Sequence, residues 1–422
     1  VEAVPRVRNV VGSRAAAITA AVVLLVVAAA VVGSARHEVV FAQAPPLFAE
    51  WMPHLGPGTL PALLVALLVV ARGPELAARL PWRGALAAGY AAALAWTFSL
   101  ALVDGWRRGL ADRLTTEHEY LHEVPGVTDV GALLRGFTGR ILDFQPDSWT
   151  THVSGHPPGA LLVFVGLDRI GLSGGGPAAV LCVLVGALIA VAVPVTVRAL
   201  GDEAAARTVL PFAALFPGAV WIGASADGLF AGVTACGVAL LALRRPLLGG
   251  VLLGCGIFLS YGLVLVGVIA LACVRSWRHL LLAVAGALAV VAAFAAAGFW
   301  WLDGYHLVVE RYYQGIASIR PYDYWVWANL AAAAFACGLA PLAGLAHPRR
   351  GPVALLVAAA LAAVLLADAS GLSKAEVERI WLPFTAWLLP ATAWLPAPAR
   401  RWWLLAQAAT ALAVCHLLLT NW

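Results

Sequence analysis

The chain has 422 residues, of which 62% are hydrophobic and 12% charged, with mean hydropathy +0.88 and a net charge of +5. Ordinary soluble domains carry roughly 25% charged residues, so this composition excludes a conventional water-soluble globule. Lipid is the solvent it suits, where a spanning helix needs roughly 20 apolar residues and satisfies its backbone groups internally.

Apolar runs are predicted to span at 15–34, 58–72, 84–103, 176–197, 208–224, 227–243, 246–259, 261–274, 280–300, 326–346, 353–367, 380–396 and 403–420. The expected fold is an all-α polytopic membrane protein with about 13 transmembrane helices in one integral membrane domain, 1–422. The first run follows Arg6, Arg8 and Arg14 and superficially resembles a signal peptide. It is long for that role and no cleavage site with a soluble domain behind it follows, so it is read as the first span. Gly159–Leu167 is too short to cross and is read as a juxtamembrane or re-entrant element. Prolines inside the runs (Pro194, Pro211, Pro217, Pro341, Pro390) are tolerated by bilayer helices. Six cysteines all lie in apolar runs without metal-ligand or CxxC spacing and read as small packing residues.

Charge assigns the sides. With the N-terminus in the cytoplasm, the inner segments carry 16 basic residues, among them Arg72, Arg79, Arg83, Arg198, Arg207, Arg244, Arg245, Arg275, Arg278, Arg349, Arg350, Arg400 and Arg401. Against these stand four acids, Glu2, Glu75, Asp202 and Glu203, whereas the outer side receives 11 bases and 18 acids. That asymmetry obeys the positive-inside rule, and it points to a multi-pass protein of the plasma membrane. The basic residues punctuate the gaps between spans rather than forming a nucleic-acid-binding face, so no nucleic-acid partner is expected. Two outer loops are long, 104–175 and 301–325, with a shorter one at 368–379.

Four polar groups stand out in this outer layer. Glu117, Glu119 and Tyr120 open the long loop, and His152 and His156-Pro157-Pro158-Gly159 close it. The prolines fix φ and remove two backbone donors, which would pin His156 at the membrane surface; a proline-initiated helix beside an incidental histidine is the simpler alternative. Asp227, in Ser225-Ala226-Asp227-Gly228, either caps the following helix or serves chemistry at the membrane edge. Arg379, in Glu376-Val377-Glu378-Arg379-Ile380-Trp381-Leu382-Pro383-Phe384, either snorkels to headgroups or offers a planar fork to a phosphate. Glu310-Arg311-Tyr312-Tyr313 and Arg320-Pro321-Tyr322 combine cations with aromatics, as an interfacial belt or a sugar site would. A rival motif, His118-Glu119-Tyr120-Leu121-His122, matches the helical zinc pair of metalloproteases, although Pro125 and Gly126 would end such a helix within a turn.

Taken together, these motifs resemble the GT-C superfamily of membrane glycosyltransferases, in particular the branch of protein mannosyltransferases and the bacterial aminoarabinose transferase. Glu117/Glu119-Tyr120 matches the acidic motif, His156-Pro157-Pro158 the second, Asp227 the third and Arg379-Ile380-Trp381-Leu382-Pro383 the fourth. The acidic element is Glu-His-Glu rather than Asp-Glu, Gly159 stands where Leu is usual, and two extra helices precede the acidic loop, where many relatives have one in total. More narrowly, the His152–Gly159 run and the Glu376–Phe384 run are similar to actinobacterial proteins described as methylthioxylose transferases, which modify mannose caps of envelope lipoglycans.

The resemblance implies inverting transfer of a sugar from a polyprenyl-phosphate donor to a glycan or lipoglycan acceptor at the outer leaflet. It requires neither a cofactor nor a metal. It implies Glu119 as base, with Glu117 second and Asp227 orienting base or acceptor. His156 and Arg379 would contact the donor phosphate, with Arg311, Arg320 and Tyr120 supporting substrate binding. A transporter or lipid flippase is the main alternative; it would place ionisable residues near the midplane and show two repeated halves.

Overall fold

The computed structural model describes residues 3–223 and 225–420; Glu2, counted above among the inner acids, lies outside them. Among the described residues the chain is almost wholly helical, and the strands Ala49–Trp51 and Leu418–Thr420 pair antiparallel. Six helices are long and apolar enough to cross a bilayer: Arg14–Ala35, Thr59–Arg79, Trp82–Asp104, Gly175–Ala199, Trp277–Ala296 and Pro352–Ala369. Ala226–Ala242, Pro246–Leu259 and Tyr261–Leu271 are shorter apolar helices. This is the architecture of a multi-pass membrane protein.

The outer helices present bare apolar surface. Leu24, Val31, Leu60, Leu67, Leu68, Leu281 and Leu288 are all exposed. A water-soluble monomer rarely exposes contiguous patches of that size, whereas in a bilayer these side chains meet acyl chains at no cost. Helix Ala226–Ala242 runs through the middle instead. Almost all of its residues are buried, against Gly175–Gly186, Ile189–Ala199, Pro246–Leu259 and the turn Leu382–Thr385.

Several runs that read as single spans are broken. The 208–224 run divides into Glu203–Ala214 and the one-turn Ala219–Ile222, on either side of Pro217. The 326–346 run breaks at Gly338 (φ 85°) into Tyr322–Cys337 and Leu339–Gly344. The 380–396 run, which holds Pro383 and Pro390, becomes Val377–Ile380, Leu382–Thr385 and a 3₁₀ stretch Ala386–Trp394. Proline lacks the N–H that an i→i−4 ladder needs, and burial inside the bundle lets neighbours shield such irregular backbone. These segments are core, so an uninterrupted 20-residue helix is not required of them.

Pro158–Arg169 is a 12-residue helix. At 1.5 Å per residue it extends about 18 Å, well short of the roughly 30 Å hydrocarbon layer. Gly159 allows its first turn to press on Pro246–Leu259, because a Cβ there would collide with the Phe258 carbonyl. That contact leaves no room for a larger residue at position 159.

The basic connections gather at one end. Arg207 donates from Nη1 to the Ala77 and Leu80 carbonyls at 2.7 and 3.0 Å, and Arg198 and Arg207 both lie over the Trp82 ring. Arg275 bonds the Ala199 carbonyl, Arg400 the Leu395 carbonyl and Thr208, and Arg401 pairs with Glu75. Loops separated widely in sequence therefore meet through these basic side chains.

Candidate functional site

At another face, four separate parts of the chain converge on Arg379. Its side chain is 7% exposed, so it does not snorkel. Nη1 donates to Asp227 Oδ2 at 2.7 Å and Nη2 to Glu376 Oε2 at 2.8 Å. Nη2 also lies 3.5 Å from His152 Nε2. Burial works against the charge on Arg379, but the neighbouring carboxylates, Asp227 foremost, raise its pKa above the ordinary value.

Glu119 completes the chain of contacts. It is 1% exposed, and Oε1 lies 2.8 Å from His152 Nδ1. Because Arg379 can only donate to Nε2, the network assigns the ring proton to Nδ1, donating to Glu119. Glu119 Oε2 is buried and has no hydrogen-bond partner among the described residues. The site thus holds one open acceptor oxygen on an otherwise fixed carboxylate.

Local structure explains each position. Glu119 occupies the extended residue before the single turn Tyr120–Glu123, and the His152 amide donates to the His118 carbonyl at 2.9 Å, tying the two ends of the long loop together. Asp227 lies in the first turn of Ala226–Ala242, where the helix dipole favours a negative charge. Ser225, not Asp227, stands at the cap position, which leaves the carboxylate for Arg379. His118 falls outside the Tyr120–Glu123 turn and is exposed. His118 and His122 consequently do not share a helix face, and the zinc-protease reading loses its geometric basis.

Tyr120 and His156 form the adjoining wall. His156 Nδ1 lies 2.8 Å from the His152 carbonyl and 2.9 Å from Tyr120 Oη. A carbonyl only accepts, so Nδ1 carries the proton. Burial lowers the His156 pKa to about 4, so the ring is neutral at pH 7. Burial likewise holds the Tyr120 phenol well above its ordinary pKa. The Tyr120 ring packs on Phe164 and the His156 ring on Phe230.

A second tier lies behind Arg379. Arg320 donates to the Lys374 carbonyl (2.9 Å), to Glu376 Oε1 (3.4 Å) and to the Phe41 carbonyl (3.2 Å). Glu376 thus bridges two guanidinium groups. Burial disfavours its charge, but Arg379 and Arg320 outweigh that and lower its pKa. Glu378 is 1% exposed and has as partner the Phe48 amide at 3.4 Å; burial pushes its pKa up to about 7.

Six of the eight residues singled out from the sequence lie in this assembly: Glu119, Tyr120, His156, Asp227, Arg320 and Arg379. Glu117 does not. Its side chain is 81% exposed and sits 3.7 Å from His118, because it precedes the turn that carries Glu119 inward. Arg311 stands apart from Arg379, paired with Asp143 and donating from Nε to Ser154 Oγ at 3.2 Å. It braces the strap that carries His152. Three contributors escaped the sequence reading as site residues. His152 and Glu376 stood inside quoted motifs, and their places three to four residues from His156 and Arg379 were the available signal. The segment containing Phe41 and Phe48 contributes backbone groups and left no side-chain signature. Neither family models, nor curated proteins, nor solved structures give a match to this chain.

Proposed function

We propose that the protein is an inverting glycosyltransferase of the membrane, taking a sugar from a polyprenyl-phosphate donor and passing it to a glycan or lipoglycan acceptor at the outer leaflet. The observation that carries this reading is the buried meeting of Glu119, His152, Asp227 and Arg379, brought from four distant parts of the chain. In the proposed step an acceptor hydroxyl sits on Glu119 Oε2 and attacks the anomeric carbon. The C–O bond to phosphate breaks, the proton passes to Glu119, and polyprenyl phosphate leaves. His152 holds the carboxylate in place, and Arg379 supplies positive charge where the leaving phosphate gains negative charge. A mostly apolar cleft of about 230 Å³, lined by Leu121, Val124, Phe164, Leu167 and Leu172 together with Thr115, Asp168 and Ser173, abuts Tyr120 through Phe164 and would take an apolar chain with a polar end. Methylthioxylose onto mannose caps is the specific transfer that the narrower resemblance favours.

Transfer from labelled polyprenyl-phosphate sugar in reconstituted vesicles tests the reading. Glu119→Gln should lower kcat by about 10²–10⁴-fold, Arg379→Ala should abolish transfer, and Glu117→Gln should behave as wild type. Full activity in the first two variants would sink the assignment. Sidedness is tested separately: a cysteine at Glu117 should react with an impermeant maleimide on intact cells, whereas one at Arg350 should react only after permeabilisation. The reverse pattern overturns the topology.

A further inference from the structure

The loop that delivers Arg379 is folded against its own backbone preference. Ala375 and Glu376 are consecutive non-glycine residues with φ of 74° and 63°, a region where the Cβ of an L-residue crowds the backbone. Such a turn persists only where its surroundings dictate it. Tyr312 Oη accepts from the Lys374 amide at 2.9 Å, and Arg320 donates to the Lys374 carbonyl. The remaining hold is unexpected, because it comes from the interior of an apolar helix.

Asn329 lies within Tyr322–Cys337 and is 2% exposed. Its Nδ2 donates to the Ser373 carbonyl at 2.8 Å and to Asp368 Oδ1 at 3.0 Å, and its Oδ1 accepts from the Ala375 amide at 3.2 Å. Both amide protons and the carbonyl are engaged. Asp368, at the end of helix Pro352–Ala369, fixes which way the amide faces, and the other two bonds clasp the loop on either side of Lys374. A primary amide at this depth is costly unless paired in this way, and nothing about helix packing alone calls for one.

We infer that Asn329 is a positioning residue for the candidate site: it holds residues 373–376 in the left-handed turn that sets Glu376 and Arg379 against His152 and Asp227. The inference deepens the transferase reading and rests on it only for the activity arm of its test.

The test uses the full chain with Asn329→Ala, with Ala375→Gly, and with both. Glycine enters the left-handed region without the Cβ penalty, so it should restore a turn whose clasp has been removed. By hydrogen exchange, Asn329→Ala should speed exchange of residues 375–381 about tenfold or more while Thr59–Arg79 keeps its wild-type rate. The double variant should recover most of the protection. In the transfer assay, Asn329→Ala should lower kcat about 10–100-fold with acceptor KM changed less than about threefold, and the double variant should regain part of the loss. Unchanged exchange at 375–381, an equal rise along the whole chain, absence of rescue by glycine, or local loosening with unaltered kcat would each overturn the inference. A wild-type protein without transfer activity defeats the transferase reading instead, and the exchange arm then decides the structural role of Asn329 by itself.

Discussion

The two charged faces of this bundle use the same chemical groups to opposite effect. On the basic face, Arg198 and Glu203, or Arg401 and Glu75, pair with about half of each side chain in solvent. Long, mobile, hydrated side chains of this kind contribute little, typically 0.2–1 kcal/mol per pair. The guanidinium groups that matter there cap carbonyls between loops, as Arg207 does for Ala77 and Leu80. On the other face, Arg379 and Asp227 pair with less than a tenth of either side chain exposed. Removing one partner from such a pair strands a charge in a poor solvent, at roughly 3–5 kcal/mol. Position in the fold, not the identity of the ions, decides whether a charge stays solvated or is committed to a buried partner.

The sharpest way to break this comparison is Asp227→Ala. It should destabilise the protein by about 2–4 kcal/mol in thermal or denaturant unfolding in detergent, because a buried guanidinium loses one of its two carboxylates and keeps Glu376. A change below 1 kcal/mol would place the pair with the surface ones.

The effect expected from Glu378→Gln depends on pH. The folded-state pKa of Glu378 is raised to about 7, so the folded protein binds a proton more tightly than the unfolded chain. Its contribution to stability is therefore complete below the ordinary carboxylate pKa and is lost as pH rises through about 7. The glutamine variant should escape that loss and be more stable than wild type at pH 8, by on the order of 3 kcal/mol. The two should converge near pH 4. Parallel stability curves would remove Glu378 from the buried acidic group.

The smallest effect belongs to the basic face. Arg401→Ala should alter unfolding by no more than about 1 kcal/mol and leave transfer unchanged. A loss as large as that of Asp227→Ala would erase the distinction between the two faces.

The sequence made one half of this contrast easier to read than the other. Ionisable residues are conspicuous beside apolar runs, so Asp227, His156 and Arg379 announced themselves. Burial then separated Glu119 from Glu117, two residues away, because only the former begins the inward turn. Apolar length was a poorer guide. The 380–396 run has the composition of a span, yet Pro383 and Pro390 make it an irregular core segment, since hydropathy does not record whether a backbone ladder is continuous. Asn329 was passed over for a related reason: within an apolar run its importance lies in what stands opposite it, and only the folded chain brings Ser373 and Ala375 there.

The Phe48 amide and the Glu378 carboxyl meet across 330 residues of chain, and Ala49–Trp51 pairs with Leu418–Thr420. During synthesis, the segment holding Phe48 and Ala49–Trp51 is made long before either partner exists. It must wait while the intervening helices insert, and its Phe48 amide finds Glu378 only after nearly all of them have been made. A chain interrupted before Glu378 would keep its earlier spans but leave both of these long-range closures unmade.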